Sequence, residues 1–250
     1  MMIGIQDATD ARDIRAAGWA GIMASIPGIL ANFLTGTPLQ PYPSWAWTDQ
    51  QIATYFAGQQ SVIAAQIFVT NAGCVLLLWA FAGVKRAVLA DTRPSLYTDL
   101  IIPSAAAVAV VLLADNGLYW TAALRGLSPQ LTRLACDFVI SFGYIAVLFG
   151  VAIPLFCAGV AMRRSAVFPR WLAIATPWTA IPLAGSQFFL LADAGLAAPI
   201  GIVSLIPYLV LYLWLAIVGV VMLRVTVPSN TSVSTPANQA PPSKQIGSSR

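Results

Sequence analysis

Six runs of apolar residues, at 16–34, 59–84, 100–123, 136–161, 171–192 and 200–223, follow one another along the chain with short polar breaks between them. Each reaches the roughly 20 residues that an α-helix needs to cross about 30 Å of hydrocarbon. No segment of about ten residues alternates apolar and polar positions as a membrane barrel strand would. In lipid every backbone N–H and C=O must find its partner within the protein, so the pattern predicts helices. The expected fold is all-α, a polytopic membrane helical bundle with six transmembrane helices.

Lysine and arginine are distributed unevenly about those spans. The N-terminus, the second and fourth loops and the C-terminal tail together hold Arg12, Arg15, Lys85, Arg86, Arg93, Arg163, Arg164, Arg170, Arg224, Lys244 and Arg250, whereas the opposite side holds only Arg125 and Arg133. Basic residues accumulate in short cytoplasmic loops. Both termini are therefore expected in the cytoplasm: a cytoplasmic segment at 1–15, a transmembrane domain at 16–224 and a cytoplasmic tail at 225–250. The first span, interrupted by Pro27 and Gly28, is longer than the apolar part of a secretory signal and reads as a retained helix.

An outer loop at 35–58 contains no basic residue and is rich in proline, tryptophan and tyrosine. Thr48 with Gln51 three residues later has the form of a capping box, which predicts a helix starting near Asp49. Trp45, Trp47 and Tyr55 suit the headgroup zone. From Pro228 onward the tail is polar and proline-rich without periodicity, the composition of a disordered segment.

Polar side chains within the spans gather toward the outer side. The stretch LLADNGLYW, Leu112 to Trp120, places Asp115 and Asn116 inside the third span, and Tyr119 follows Asp115 by one helical turn. Gln66 and Asn71 lie in the second span, Asp137 at the expected start of the fourth, and Gln187 and Asp193 at the end of the fifth. Asp193 belongs to LLADAGL, a near repeat of the Asp115 stretch. A carboxylate within a membrane helix is costly enough to be treated as a candidate site with a partner to be named. Asp115 has two readings: one end of a pocket that takes a proton or cation, or one half of an ion pair with Arg125 or Arg133. Asp137 reads as a helix N-terminal cap.

Composition narrows the chemistry. The 250 residues are 58% hydrophobic and 9% charged, too few charges to cover a water-facing surface. The chain contains no histidine, and all nine acidic residues are aspartate. Histidine-ligated haem or zinc, Ser-His-Asp triads and histidine proton shuttles are excluded. Cys74, Cys136 and Cys157 have no metal-ligand spacing and read as buried thiols. Ala17, Gly21 and Ser25, and likewise Ala146 and Gly150, are small residues four apart that suit close helix packing. Prolines at 103, 154, 177, 182 and 207 interrupt the later spans.

The segment VFPRWLAIATPW, Val167 to Trp178, resembles the Phe/Ile-Pro-Arg-Trp turn of a bacterial family of six-span integral membrane proteins known only as a domain of unknown function. RAAGWAGIM at the first span and IPYLVLYLWLAIVGVVML, Ile206 to Leu223, extend the likeness over about residues 12–224. Where members of that family often carry a glutamate in the last helix, this chain has Tyr212 or its neighbours. The resemblance implies the architecture and a bacterial inner membrane location; it implies no activity.

The expected function is binding or moving a small solute or ion through an outward-facing polar pocket containing Asp115, Asn116, Gln66 and Asn71. The alternative is a non-enzymatic accessory or scaffold subunit of a membrane complex, and an enzyme acting on lipid ranks third. Expected partners are membrane lipids, the solute or ion and a membrane protein; no nucleic acid, cofactor, metal or catalytic residue is expected.

Overall fold

A computed structural model describes residues 8–34, 43, 46–186, 188 and 205–225. Residues 35–42, 44 and 45 of the outer loop, Gln187, the LLADAGL repeat with Asp193, and the tail beyond Val225 lie outside the described residues. Every described element is helical. They are α1 (Ala8–Leu34), α2 (Asp49–Gly58), α3 (Gln60–Leu89), α4 (Leu96–Leu124), α5 (Pro129–Phe138), a π-helical segment (Val139–Ala146), α6 (Val147–Met162), α7 (Arg170–Gly185) and α8 (Leu205–Leu223).

Four helical stretches are long and apolar enough to cross a membrane: Gln60–Leu89, Leu96–Leu124, the continuous Pro129–Met162, and Ile206–Leu223. The other two expected spans correspond to α1 and α7. Within the described residues neither reaches that standard. In α1 the charged residues Asp10, Arg12, Asp13 and Arg15 occupy the first two turns, and residues 16–34 beyond them are uncharged. The 16 residues of α7 measure roughly 24 Å at 1.5 Å per residue, short of the ~30 Å hydrocarbon core.

The helix ends show why these boundaries fall where they do. Thr48 accepts from the Gln51 N–H while the Gln51 side chain accepts from the Thr48 N–H at 2.8 Å, so α2 begins at Asp49 with the expected capping box. Ser95 and Thr98 cap α4 in the same reciprocal way. Ser128 accepts from the Leu131 N–H, and Pro129 fills the first position of α5. That pair is a helix-start signal, and it moves the fourth helix upstream of the expected 136–161. Asp137 is therefore not a helix-starting cap; it lies in the last turn of α5, 3.2 Å from Arg133 one turn earlier.

Packing follows small residues. Helix α1 lies against α3 and α8, α4 lies between α3 and α6, α7 packs mainly on α6, and α2 rests on α5. Gly18 and Gly219 bring α1 and α8 so close that a Cβ on Gly219 would stand 2.6 Å from the Gly18 carbonyl oxygen. On the expected small-residue face of α1, Ala17 meets Gly83 of α3 and Gly21 meets the backbone of α8. On α6, Gly150 packs against Val108 and Gly159 against the ring of Pro177. Close approach of this kind replaces the hydrophobic drive that is missing between helices in lipid.

Charged side chains collect at the two ends of the bundle. At one end Arg86 reaches Asp10 at 2.6 Å and Asp13 at 3.0 Å, Lys85 lies 3.7 Å from Asp99, and Asp91 accepts from the Ala166 N–H at 2.6 Å. At the other end Arg133 holds Asp137, Asp49 at 3.6 Å and the Trp47 carbonyl at 2.5 Å, which fastens α2 to α5. Replacing Arg133 with alanine is expected to cost about 1–2 kcal/mol, because a charge-assisted hydrogen bond contributes about 1.5–3 and the exposed carboxylates discount their share. The sign of the expected result is faster proteolysis within α2; an unchanged cleavage pattern and melting temperature would remove the assignment.

The buried apolar side chains form two clusters. The larger joins α1, α3, α4, α6, α7 and α8, with Phe81, Leu148, Leu155, Met162, Leu172 and Trp214 in it. The smaller joins α2, α5 and the adjoining ends of α3 and α4 through Ile52, Phe56, Ile63, Tyr119, Cys136 and Ile140. Between them lies a polar layer.

Candidate functional site

Leu112, Asp115, Asn116 and Tyr119 are spaced i, i+3, i+4 and i+7, so α4 turns all four to one face. That face borders a cavity of about 130 Å³, to which five other parts of the chain contribute. From α3 come Gln66, Thr70, Gly73 and Cys74; from α1, Ala24 and Gly28; from α6, Val147, Leu148 and Val151; from α8, Tyr208, Leu211, Tyr212 and Leu215; and from the π segment, Val139. The space suffices for several water molecules.

Asp115 is only 4% exposed, and among the described residues it is the one charged side chain away from the bundle's ends. Its Oδ1 atom is buried and accepts no hydrogen bond; the same is true of Gln66 Oε1. Asn116 Nδ2 donates to Asn71 Oδ1 at 2.7 Å, tying α4 to α3 beside the carboxylate. The Thr70 hydroxyl donates to the Gln66 carbonyl at 2.9 Å and keeps its lone pairs for the cavity. Asp115 Oδ1 and Gln66 Oε1 are thus open acceptors on a wall that also carries the hydroxyls of Tyr119, Tyr208 and Tyr212. Among the described residues, no lysine or arginine lines it.

Of the residues singled out from the sequence, Gln66, Asp115 and Asn116 line the cavity, and Asn71 stands behind Asn116 as its partner. The expected counter-charges are elsewhere. Neither Arg125 nor Arg133 lies within 4 Å of Asp115: Arg133 is engaged with Asp49, Asp137 and Trp47, and exposed Arg125 follows Asp115 by ten residues, roughly 15 Å along the helix. Gln60 likewise stays out of the cavity, donating to the Ala123 carbonyl at 2.9 Å and satisfying one of the open acceptors at the end of α4.

Sequence reasoning missed the α8 wall. Tyr208, Leu211, Tyr212 and Leu215 repeat the i, i+3, i+4, i+7 spacing of the α4 face, and that coincidence was the available signal. Gly28 matters to this wall because a Cβ there would overlap the ring of Tyr212. The π segment was also missed. Its wide turn, in which the Val147 N–H bonds the Phe142 carbonyl five residues back, joins α5 to α6, and Val139 of the segment and Val147 of α6 border the cavity; π turns recur at functional positions.

Cys74 faces the cavity, and all three cysteines are buried free thiols. Among the described residues no three aspartates or cysteines come together as a metal site would require. The arrangement is suited to holding a hydrogen-bond donor or a positive charge against Asp115. Comparison of the chain with family models, with curated proteins and with solved structures finds no match.

Proposed function

We propose that this chain is a six-span integral membrane protein of a bacterial inner membrane, with both ends cytoplasmic, that binds or moves a small solute or ion through a pocket built around Asp115. The observation that carries the reading is the buried Asp115, whose Oδ1 has no hydrogen-bond partner and whose side chain belongs to the lining of a cavity with Gln66 and Asn116. A carboxylate kept in that position without a counter-charge costs stability; a bound ligand offsets the cost. The end nearer to Asp115 bears few basic residues, which supports an outward-facing pocket.

A second reading, an accessory subunit, is favoured by one feature. An apolar groove of about 540 Å³ runs between α6 and α7, lined by Phe149, Ile153, Phe156, Trp178 and Ile181. Such a groove suits a neighbouring transmembrane helix as well as lipid.

Native mass spectrometry of gently extracted protein separates the two. The solute reading expects a low-mass species bound to the wild type and absent from Asp115→Asn, with both proteins folded. Identical spectra from the two proteins would overturn it, and a co-purifying polypeptide retained by Asp115→Asn would favour the subunit.

A further inference from the structure

We infer that the cavity takes a primary ammonium ion with a short aliphatic body, its NH3+ group against Asp115 and Gln66 and its body toward Tyr208 and Tyr212. The inference rests on the solute-pocket reading and names the ligand class for it.

The unmet valences point one way. Asp115 Oδ1 and Gln66 Oε1 are buried acceptors without donors, and Thr70 adds a hydroxyl with free lone pairs. The neighbouring donor, Asn116 Nδ2, gives one of its two hydrogens to Asn71. A primary ammonium supplies three N–H donors and no acceptor, so it complements this wall without leaving a polar atom of its own unsatisfied. It also supplies the positive charge that Arg125 and Arg133 do not bring. An anion would meet a buried carboxylate with no basic side chain in the lining.

The rest of the lining selects against a bare metal ion. Hard cations such as calcium collect six to eight oxygen ligands, with affinity set by how many of them are charged, and among the described lining residues Asp115 is the one carboxylate. Most of the wall is hydrocarbon, and two tyrosine rings stand on α8. Apolar walls hold an alkyl body, and aromatic faces attract an organic cation. A volume near 130 Å³ limits that body to a few carbons.

The test uses the full chain purified in detergent at fixed ionic strength, with n-butylammonium chloride as the probe and n-butanol, sodium butyrate and sodium chloride as comparators, read by calorimetric titration. The expected result is saturable binding of butylammonium, at least tenfold weaker binding of butanol, and none of butyrate. Asp115→Asn should weaken butylammonium at least tenfold. Gly73→Leu is the second variant, because Gly73 borders the cavity and a Cβ there meets nothing within 4 Å. It directs a side chain into the cavity from a position where the Cβ meets no neighbour, so it decides the matter if Asp115→Asn does not fold.

Butylammonium binding that survives in both variants overturns the inference, as does its absence at millimolar concentration. Sodium or butanol bound in a manner that Asp115→Asn abolishes, with no effect of butylammonium, overturns the ammonium class while leaving the solute pocket standing. No probe bound in an Asp115-dependent way overturns both.

Discussion

Truncating Trp214 to alanine is expected to cost about 2–3 kcal/mol, somewhat below the ~3–5 typical of such a truncation in a soluble core. The discount arises because lipid tails are as apolar as the protein interior, which leaves the cavity and the lost contacts as the main penalty. Trp214 is buried at 3% exposure and joins three helices from its place on α8. Its ring lies 5.6 Å from that of Phe81 on α3. Its indole N–H donates to the Thr176 hydroxyl on α7 at 2.9 Å, and Thr176 in turn donates to the Leu172 carbonyl at 2.7 Å. Helix α7 otherwise depends mainly on α6. Trp214→Phe keeps the ring contact and removes only the hydrogen bond, so about 0.5–1 kcal/mol is expected. Unfolding in mixed detergent micelles measures both variants. Equal losses would mean that the hydrogen bond, not the packing, carries the effect, contrary to the expectation.

Valine at Gly219 is the other large effect. The obstacle to a side chain there is the Gly18 carbonyl oxygen, 2.6 Å from the new Cβ, with Ile22 Cγ1 at 2.9 Å. An isoleucine tip can swing aside; a helical carbonyl can move only with its helix. Helices α1 and α8 must therefore separate, and forced expansion of a packed contact costs about 1–3 kcal/mol. Gly117→Ala is the matched control, since a Cβ on Gly117 meets nothing within 4 Å and alanine improves helix propensity by up to about 1 kcal/mol. The melting temperature should fall for Gly219→Val and hold or rise for Gly117→Ala. If both moved together, backbone propensity rather than the α1–α8 approach would be the cause.

The sequence was most legible where a local rule decides the outcome. Thr48 and Gln51 specify their capping box without help from the rest of the chain, and the 3.6-residue period places Asp115, Asn116 and Tyr119 on one face. It was less legible where partners come from far along the chain. Arg133 looked like a counter-charge for Asp115 because both precede or follow the same loop; its actual partners include Asp49 and Trp47, more than 80 residues away. Asp137 looked like a cap because the apolar run seems to begin beside it, while Ser128 and Pro129 start the helix earlier from within a more polar stretch. Tyr208 and Tyr212 were hidden by composition. In a helix made almost wholly of apolar residues, periodicity does not distinguish a cavity wall from a lipid-facing side, and only the approach of Gly28 shows where Tyr212 points.

The polar layer between the two apolar clusters has a mechanical consequence. Cooperative unfolding travels through interlocked apolar contacts, and here those contacts thin out at Gln66, Asn71, Asp115 and Asn116. The protein is accordingly expected to open as two foldons rather than one: a large block that includes α7 and α8, and a small one in which α2 and α5 sit over the ends of α3 and α4. The small block is then expected to loosen at a lower free energy than the large one, with faster amide exchange in α2 and α5 than in the helices of the large block.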